Sequence, residues 1–178
     1  MLTQKYDLFP TRIWHIEGTP QLLVDELYHA AYKIKEKYLE GENKSNKGGY
    51  HSPFFAWDTF HPEGKKLINE IIDKNIKKPF KVNEWWYNIS ETGHWNMPHT
   101  HPGVDLSLVL YLTETDELLN FFNPFSQRKT VAMDGTTLYS PKTKKGDILI
   151  FPSDIQHFVM PNQREEDRIS ISMNLQLC

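Results

Sequence analysis

Hydrophobic positions recur with two different periods in the two halves of the chain. In QLLVDELYHAAYKIKEKYLEG (residues 21–41), Leu23, Leu27, Ala30, Ala31, Ile34 and Tyr38 return every three or four residues, the spacing of one helix face. Thr19-Pro20 ahead of it reads as an N-cap followed by proline at the first helical position, and Gly41 as the stop. The polar stretch ENKSNKGG (42–49) reads as a mobile loop. A second helix is predicted from Pro62 to Asn75, with Leu67, Ile68, Ile71 and Ile72 on one stripe and Pro79 beyond its end.

From Val82 onward the period becomes two, in short segments divided by turn residues. Strands are predicted at 83–90, 106–113, 119–122, 130–133, 147–151, 157–160 and 168–176. Such a series of short strands suggests a β-sandwich, barrel or jelly roll. Two amphipathic helices bury too little surface to stand alone, so they are expected to cover one sheet. A single domain over 1–178 follows, its helical part at about 1–80 packing on a β core at about 82–176.

The 178 residues suit one hydrophobic core, and 13% aromatic residues argue against a disordered chain. A formal charge of −3 leaves no basic field to attract nucleic acid. No apolar run approaches the roughly 18–20 residues that span a bilayer, so no membrane partner is expected. The start, MLTQKYDLFPTRIW, lacks the plan of a secretory signal, and Cys178 is the lone cysteine. The expectation is a soluble cytoplasmic protein, with a homodimer left open. The basic run Lys142–Lys145 reads as a solvated turn.

The candidate chemistry is concentrated in histidines. His99 and His101 form an H-x-H pair; on an extended segment their side chains share a side, about 6.5–7 Å apart along the strand. His157 follows a buried strand and a Pro152-Ser153-Asp154 turn, from which an antiparallel barrel returns it beside the pair. Imidazole suits iron, zinc, copper and nickel alike. In RISISMNLQL, Arg168, Ser170, Ser172, Asn174 and Gln176 share one face and Ile169, Ile171, Met173 and Leu175 the other. An arginine and a serine two apart can hold a carboxylate, the guanidinium gripping both oxygens and the hydroxyl adding a third bond. His15, His29, His51 and His61 carry no such pairing, and His94 reads as a surface residue.

Gly93…His99-Thr100-His101…Asp105 and Gly146…Pro152…His157 resemble the two motifs of the cupin-like jelly roll, or double-stranded β-helix. His157 followed by Arg168-Ile169-Ser170 resembles the C-terminal signature of the Fe(II)- and 2-oxoglutarate-dependent oxygenases. Trp86-Tyr87-Asn88, LSLVLYL, GDILIFPS and RISISMN extend the likeness to a bacterial and phage subgroup, over roughly residues 82–176. The resemblance implies a mainly β fold, a jelly roll covered by two N-terminal helices. It also implies Fe(II) at His99, His101 and His157, with 2-oxoglutarate as co-substrate gripped by Arg168 and Ser170. The substrate would be a protein, peptide or small metabolite, hydroxylated with release of succinate and CO2; for a phage protein the compartment would be the host cytoplasm.

The usual triad of that family places Asp or Glu where His101 stands. Either His101 is itself a ligand or a carboxylate comes from elsewhere, with Asp105 as the reserve ligand or, in the preferred reading, a capping or turn aspartate. Tyr111 resembles a position that hydrogen-bonds the co-substrate carboxylate. Tyr87, or its neighbour Asn88, either reaches the co-substrate or packs in the core, and Asn174 can touch co-substrate or substrate. FFNPFSQRK (121–129) reads as a substrate lid or a tucked hairpin. Two alternatives stand beside the oxygenase: a cupin-type metal enzyme that uses no 2-oxoglutarate, and a non-catalytic ligand-binding jelly roll.

Overall fold

A computed structural model describes residues 10–115, 119–124 and 137–178. Its strands are β1 (Trp14–Ile16), β2 (Asn46–Lys47), β3 (Tyr50–His51), β4 (Phe80–Ser90), β5 (Trp95–His99), β6 (Leu106–Tyr111), β7 (Leu119–Phe122), β8 (Leu138–Tyr139), β9 (Ile148–Pro152), β10 (His157–Val159) and β11 (Arg168–Leu177). Two helices, α1 (Gln21–Lys37) and α2 (Pro62–Asn75), precede β4. The strands form a six-stranded sheet, in the order β1-β9-β6-β11-β4-β3, and a five-stranded sheet, in the order β2-β5-β10-β7-β8. Every pairing is antiparallel. Consecutive strands such as β4, β5 and β6 alternate between the sheets, the winding of a jelly roll.

Period-two patterning divides the six-stranded sheet into two faces. On its outer face Trp85, Tyr87 and Ile89 of β4, Leu108 and Leu110 of β6, Ile148 and Ile150 of β9, and Ile169, Ile171, Met173 and Leu175 of β11 form one cluster. Leu23, Val24, Leu27 and Ala31 of α1 and Ile68, Ile71 and Ile72 of α2 close over it. This is where the protein buries most of its apolar surface. A smaller cluster, Tyr111, Leu119, Phe121, Leu149, Phe151 and Ile155, packs between the two sheets. The space beside it stays open.

Several boundaries differ from the pattern-based expectation. Pro20, with no side-chain cap bond, occupies the position ahead of α1, so Thr19 is not the N-cap. The helix ends at Lys37, four residues before Gly41, with Tyr38 as C-cap. The 42–49 stretch is not wholly loop: Asn46 and Lys47 pair with β5 as an edge strand. Gly48, at φ +67°, follows it because a Cβ there would run into the His94 ring. β1, β2, β3, β5 and β8 lie outside the predicted strands; four of them have two or three residues, too few for a period to register. The predicted strand at 130–133 and residues 125–129 of the aromatic stretch lie outside the described residues. Lys144 and Lys145 pair with Glu17 and Asp25, as suits a solvated turn. Among the described residues no helix is long and apolar enough to cross a membrane.

Candidate active site

β11 supplies one wall of the site because alternate residues face inward. Its register builds rows across the sheet: Ser170 lies between Asn88 and Tyr111, Ser172 between Trp86 and Val109, and Asn174 between Glu84 and Ser107. These rows line a cavity of about 510 Å³, whose opposite wall is β5, β10 and the start of β7.

The three expected histidines meet across that cavity. β5 and β10 pair so that His99 stands directly opposite His157. His101, two residues past the end of β5, is fixed by its backbone N–H donating to the Ser153 carbonyl at 2.9 Å. Ring centroids are 4.3 Å apart for His99–His157, 5.0 Å for His99–His101 and 5.2 Å for His101–His157. One nitrogen from each ring lies within 4.8 Å of the others.

Two tautomers follow from neighbouring carbonyls, which can only accept. His99 Nδ1–H donates to the Met97 carbonyl and His157 Nδ1–H to that of Ile155, each at 2.8 Å. Each ring is thereby oriented with its Nε2 lone pair free, as a metal ligand requires. Burial pulls His157 down to about 3 and His101 to about 4, helped by repulsion from the neighbouring imidazoles, and lowers His99 as well. All three rings are therefore neutral at pH 7, the form that binds a cation.

At the start of β11, Arg168 is 7% exposed. Its guanidinium donates to the Met160 carbonyl at 2.9 Å, and among the described residues no carboxylate pairs with it. Burial lowers it only to about 10, so it remains a cation. An unpaired buried charge costs several kcal/mol. One row along stands Ser170, and across from it Tyr111, whose buried hydroxyl completes no hydrogen bond among the described residues. Burial pushes that phenol well above its ordinary range, a push partly offset by the nearby Thr143 hydroxyl, which pairs with Thr115 and falls outside hydrogen-bond geometry with Tyr111, and by the Arg168 charge. A buried cation and an orphaned hydroxyl on one wall call for an anionic ligand.

Three further candidates are held by other contacts. Asp105 is not among the clustered donors: its carboxylate accepts from Gln176 Nε2 and, at 2.8 Å, from the Leu177 N–H. Tyr87 turns away from the cavity, 1% exposed among the helices, its hydroxyl donating to the Leu27 carbonyl at 3.1 Å. The reason is parity, since Trp86 and Asn88 take the inward positions of β4. Asn174 does line the cavity, but its amide donates to Glu84 at 2.8 Å and its carbonyl accepts from Ser107. His94 lies outside the cavity, its Nδ1 accepting from the Glu91 N–H.

The sequence reading missed Glu84, Trp86, His51 and Phe54, all of which line the cavity. The inward parity of Glu84, Trp86 and Asn88 was available as a signal for two of them. His51 and Phe54 come from β3 and the turn after it, which carry no periodic mark. A second grouping of donors, His15, Glu17 and Asp147, lies where β1 meets the turn before β9. It is tied together by His15–Asp147 and Glu17–Lys144 pairs.

The profile of the family described as "Putative 2OG-Fe(II) oxygenase" matches residues 84–174. No curated protein matches the chain by sequence. Among solved structures, a Pseudomonas putida prolyl-4-hydroxylase superposes with TM-score 0.67 at 16% identity, over 93% of this chain and 92% of that one. HygX from Streptomyces hygroscopicus, with nickel and 2-oxoglutarate bound, gives 0.67 at 10% identity over 93% and 83%. A Trichoplax adhaerens prolyl hydroxylase, in complex with a hypoxia inducible factor oxygen degradation domain peptide fragment, gives 0.64 at 12% identity over 92% and 83%. At these identities the likeness is one of fold.

Proposed function

Since this chain belongs to the 2OG-Fe(II) oxygenase family and is an Fe(II)- and 2-oxoglutarate-dependent oxygenase, we propose that His99, His101 and His157 hold its iron and that Arg168, Ser170 and Tyr111 hold its co-substrate. Three neutral imidazoles, two with Nε2 presented by a carbonyl-fixed tautomer, suit a ferrous ion. The distal carboxylate of 2-oxoglutarate accepts from the Arg168 guanidinium, with the Ser170 and Tyr111 hydroxyls donating beside it. The observation that carries this reading is the buried guanidinium that has no carboxylate partner among the described residues, on the same wall as a phenol that has no hydrogen-bond partner among them. Asp105, engaged at the end of β11, speaks against a four-ligand centre of the cupin type.

When bound, iron and 2-oxoglutarate together activate oxygen to hydroxylate a C–H bond, releasing succinate and CO2. The protein's share is positioning. The carbonyls of Met97 and Ile155 fix two rings, Arg168 would set the direction of the diacid, and Phe151 and Leu119 give the cavity an apolar lining. The primary substrate is a protein, peptide or small metabolite entering on the Trp86 side.

Anaerobic addition of Fe(II) and 2-oxoglutarate should produce a weak visible charge-transfer band. Arg168→Ala is expected to abolish the band at the same co-substrate concentration while retaining iron. An unchanged band in that variant overturns the carboxylate assignment.

A further inference from the structure

The cavity has a second chemical pole on its β3–β4 side, with Glu84 at the end away from Arg168. Glu84 lines it, three rows along β11 from Arg168, or about 20 Å along the strand. Its carboxylate accepts one hydrogen bond, from the Asn174 amide, and among the described residues no cation pairs with it. Two residues further on the same face, Trp86 stacks with His51 (centroids 5.5 Å, planes 14° apart), and Phe54 meets both edge-on at 5.2 and 5.3 Å. His51 is 3% exposed; its Nδ1–H donates to the Ser52 carbonyl, which leaves Nε2 an acceptor. Trp86 also lies 5.8 Å from His101, so this aromatic group borders the histidine trio.

A carboxylate, an imidazole acceptor and the π-faces of Trp and Phe share one preference: a positively charged donor. The wall already shows it. Lys44, the cation at the rim, sits 5.2 Å over the Phe54 ring, its charge offset by Glu42 at 3.6 Å. We infer that Glu84, Trp86, His51 and Phe54 form the primary-substrate subsite, and that the substrate carries an ammonium or guanidinium group bound against Glu84. This rests on the oxygenase reading, and it names the substrate class which that reading leaves open. Glu84 is a specificity residue in this scheme, and it does not touch the iron.

The test uses the Fe(II)- and 2-oxoglutarate-loaded full chain without oxygen, with Trp fluorescence as the readout. The probes are Nα-acetyl-lysine amide, Nα-acetyl-arginine amide and the uncharged Nα-acetyl-norleucine amide; free lysine distinguishes a free amino acid from a residue within a peptide. At least one cationic probe is expected to bind about ten-fold more tightly than norleucine amide. Glu84→Gln, which keeps the shape and the Asn174 contact, is expected to erase that preference without changing the 2-oxoglutarate band. Equal binding of charged and uncharged probes, absence of cationic binding, or an unaltered preference in Glu84→Gln overturns the inference. Because the band is measured in the same samples, a missing band points to failure of the oxygenase site assignment, and an intact band without preference to failure of this subsite alone.

Discussion

At the scale of single residues, the site is defined by groups whose hydrogen-bonding capacity is unspent. Tyr111 is the plainest case, since its hydroxyl is buried and completes no hydrogen bond among the described residues. Tyr111→Phe is expected to weaken 2-oxoglutarate binding about ten-fold, measured by titrating the charge-transfer band. The same change should stabilise the metal-free chain by about 1 kcal/mol in denaturant unfolding, because an unsatisfied buried group is removed. The ligand question divides in the same way. His101→Ala should lower iron content in direct metal analysis, whereas Asp105→Ala should keep it and cost about 1 kcal/mol through the lost Leu177 and Gln176 contacts. Loss of iron in the Asp105 variant alone would return that carboxylate to the metal.

At the scale of elements, one strand does two jobs because its faces are chemically opposite. The Ile169, Ile171, Met173 and Leu175 face of β11 is buried in one cluster with the helices, while its polar face presents Arg168 and Ser170. β4 follows the same rule, and it separates Tyr87 from Trp86. Tyr87→Phe should therefore leave 2-oxoglutarate affinity unchanged and lower stability by about 1 kcal/mol, through loss of the buried hydrogen bond from its hydroxyl to the Leu27 carbonyl. An altered charge-transfer titration in that variant would put Tyr87 back at the co-substrate. β5 shows what patterning cannot reach. WNMPH alternates only over Trp95-Asn96-Met97, with both apolar residues exposed, and it is a strand because β10 and β2 supply its hydrogen bonds.

At the scale of the whole molecule, burying a cluster of neutral imidazoles links folding to pH. The unfolded rings titrate near 6.5, whereas folded His101 and His157 titrate at about 4 and about 3. Between those values the unfolded chain binds more protons, so stability is fully present above about pH 6.5 and declines as pH falls toward 4. The metal-free protein is expected to show that loss in unfolding measured from pH 7 to 4.5. Fe(II) under anaerobic conditions should raise the melting temperature at pH 7, with the gain shrinking as pH falls, because protons and metal compete for the same nitrogens. A melting temperature independent of pH over that range would contradict the buried, neutral trio.

The alternation of side chains determined by itself which residues share a face, and spacing along the chain pointed to His99, His101, His157, Arg168 and Ser170, to which the family resemblance added Tyr111. Both are local properties, carried by a backbone whose side chains repeat every two or every three to four residues. The tertiary structure decided what is not local. It determined which of two opposite faces looks into the cavity, sending Tyr87 out and Glu84 in, and it spent Asp105 on the end of β11 instead of the trio. It also brought His51 and Phe54 across from a short edge strand with no pattern of its own. Pairing register and sheet packing join segments far apart in sequence, and no periodicity within a segment encodes its partner.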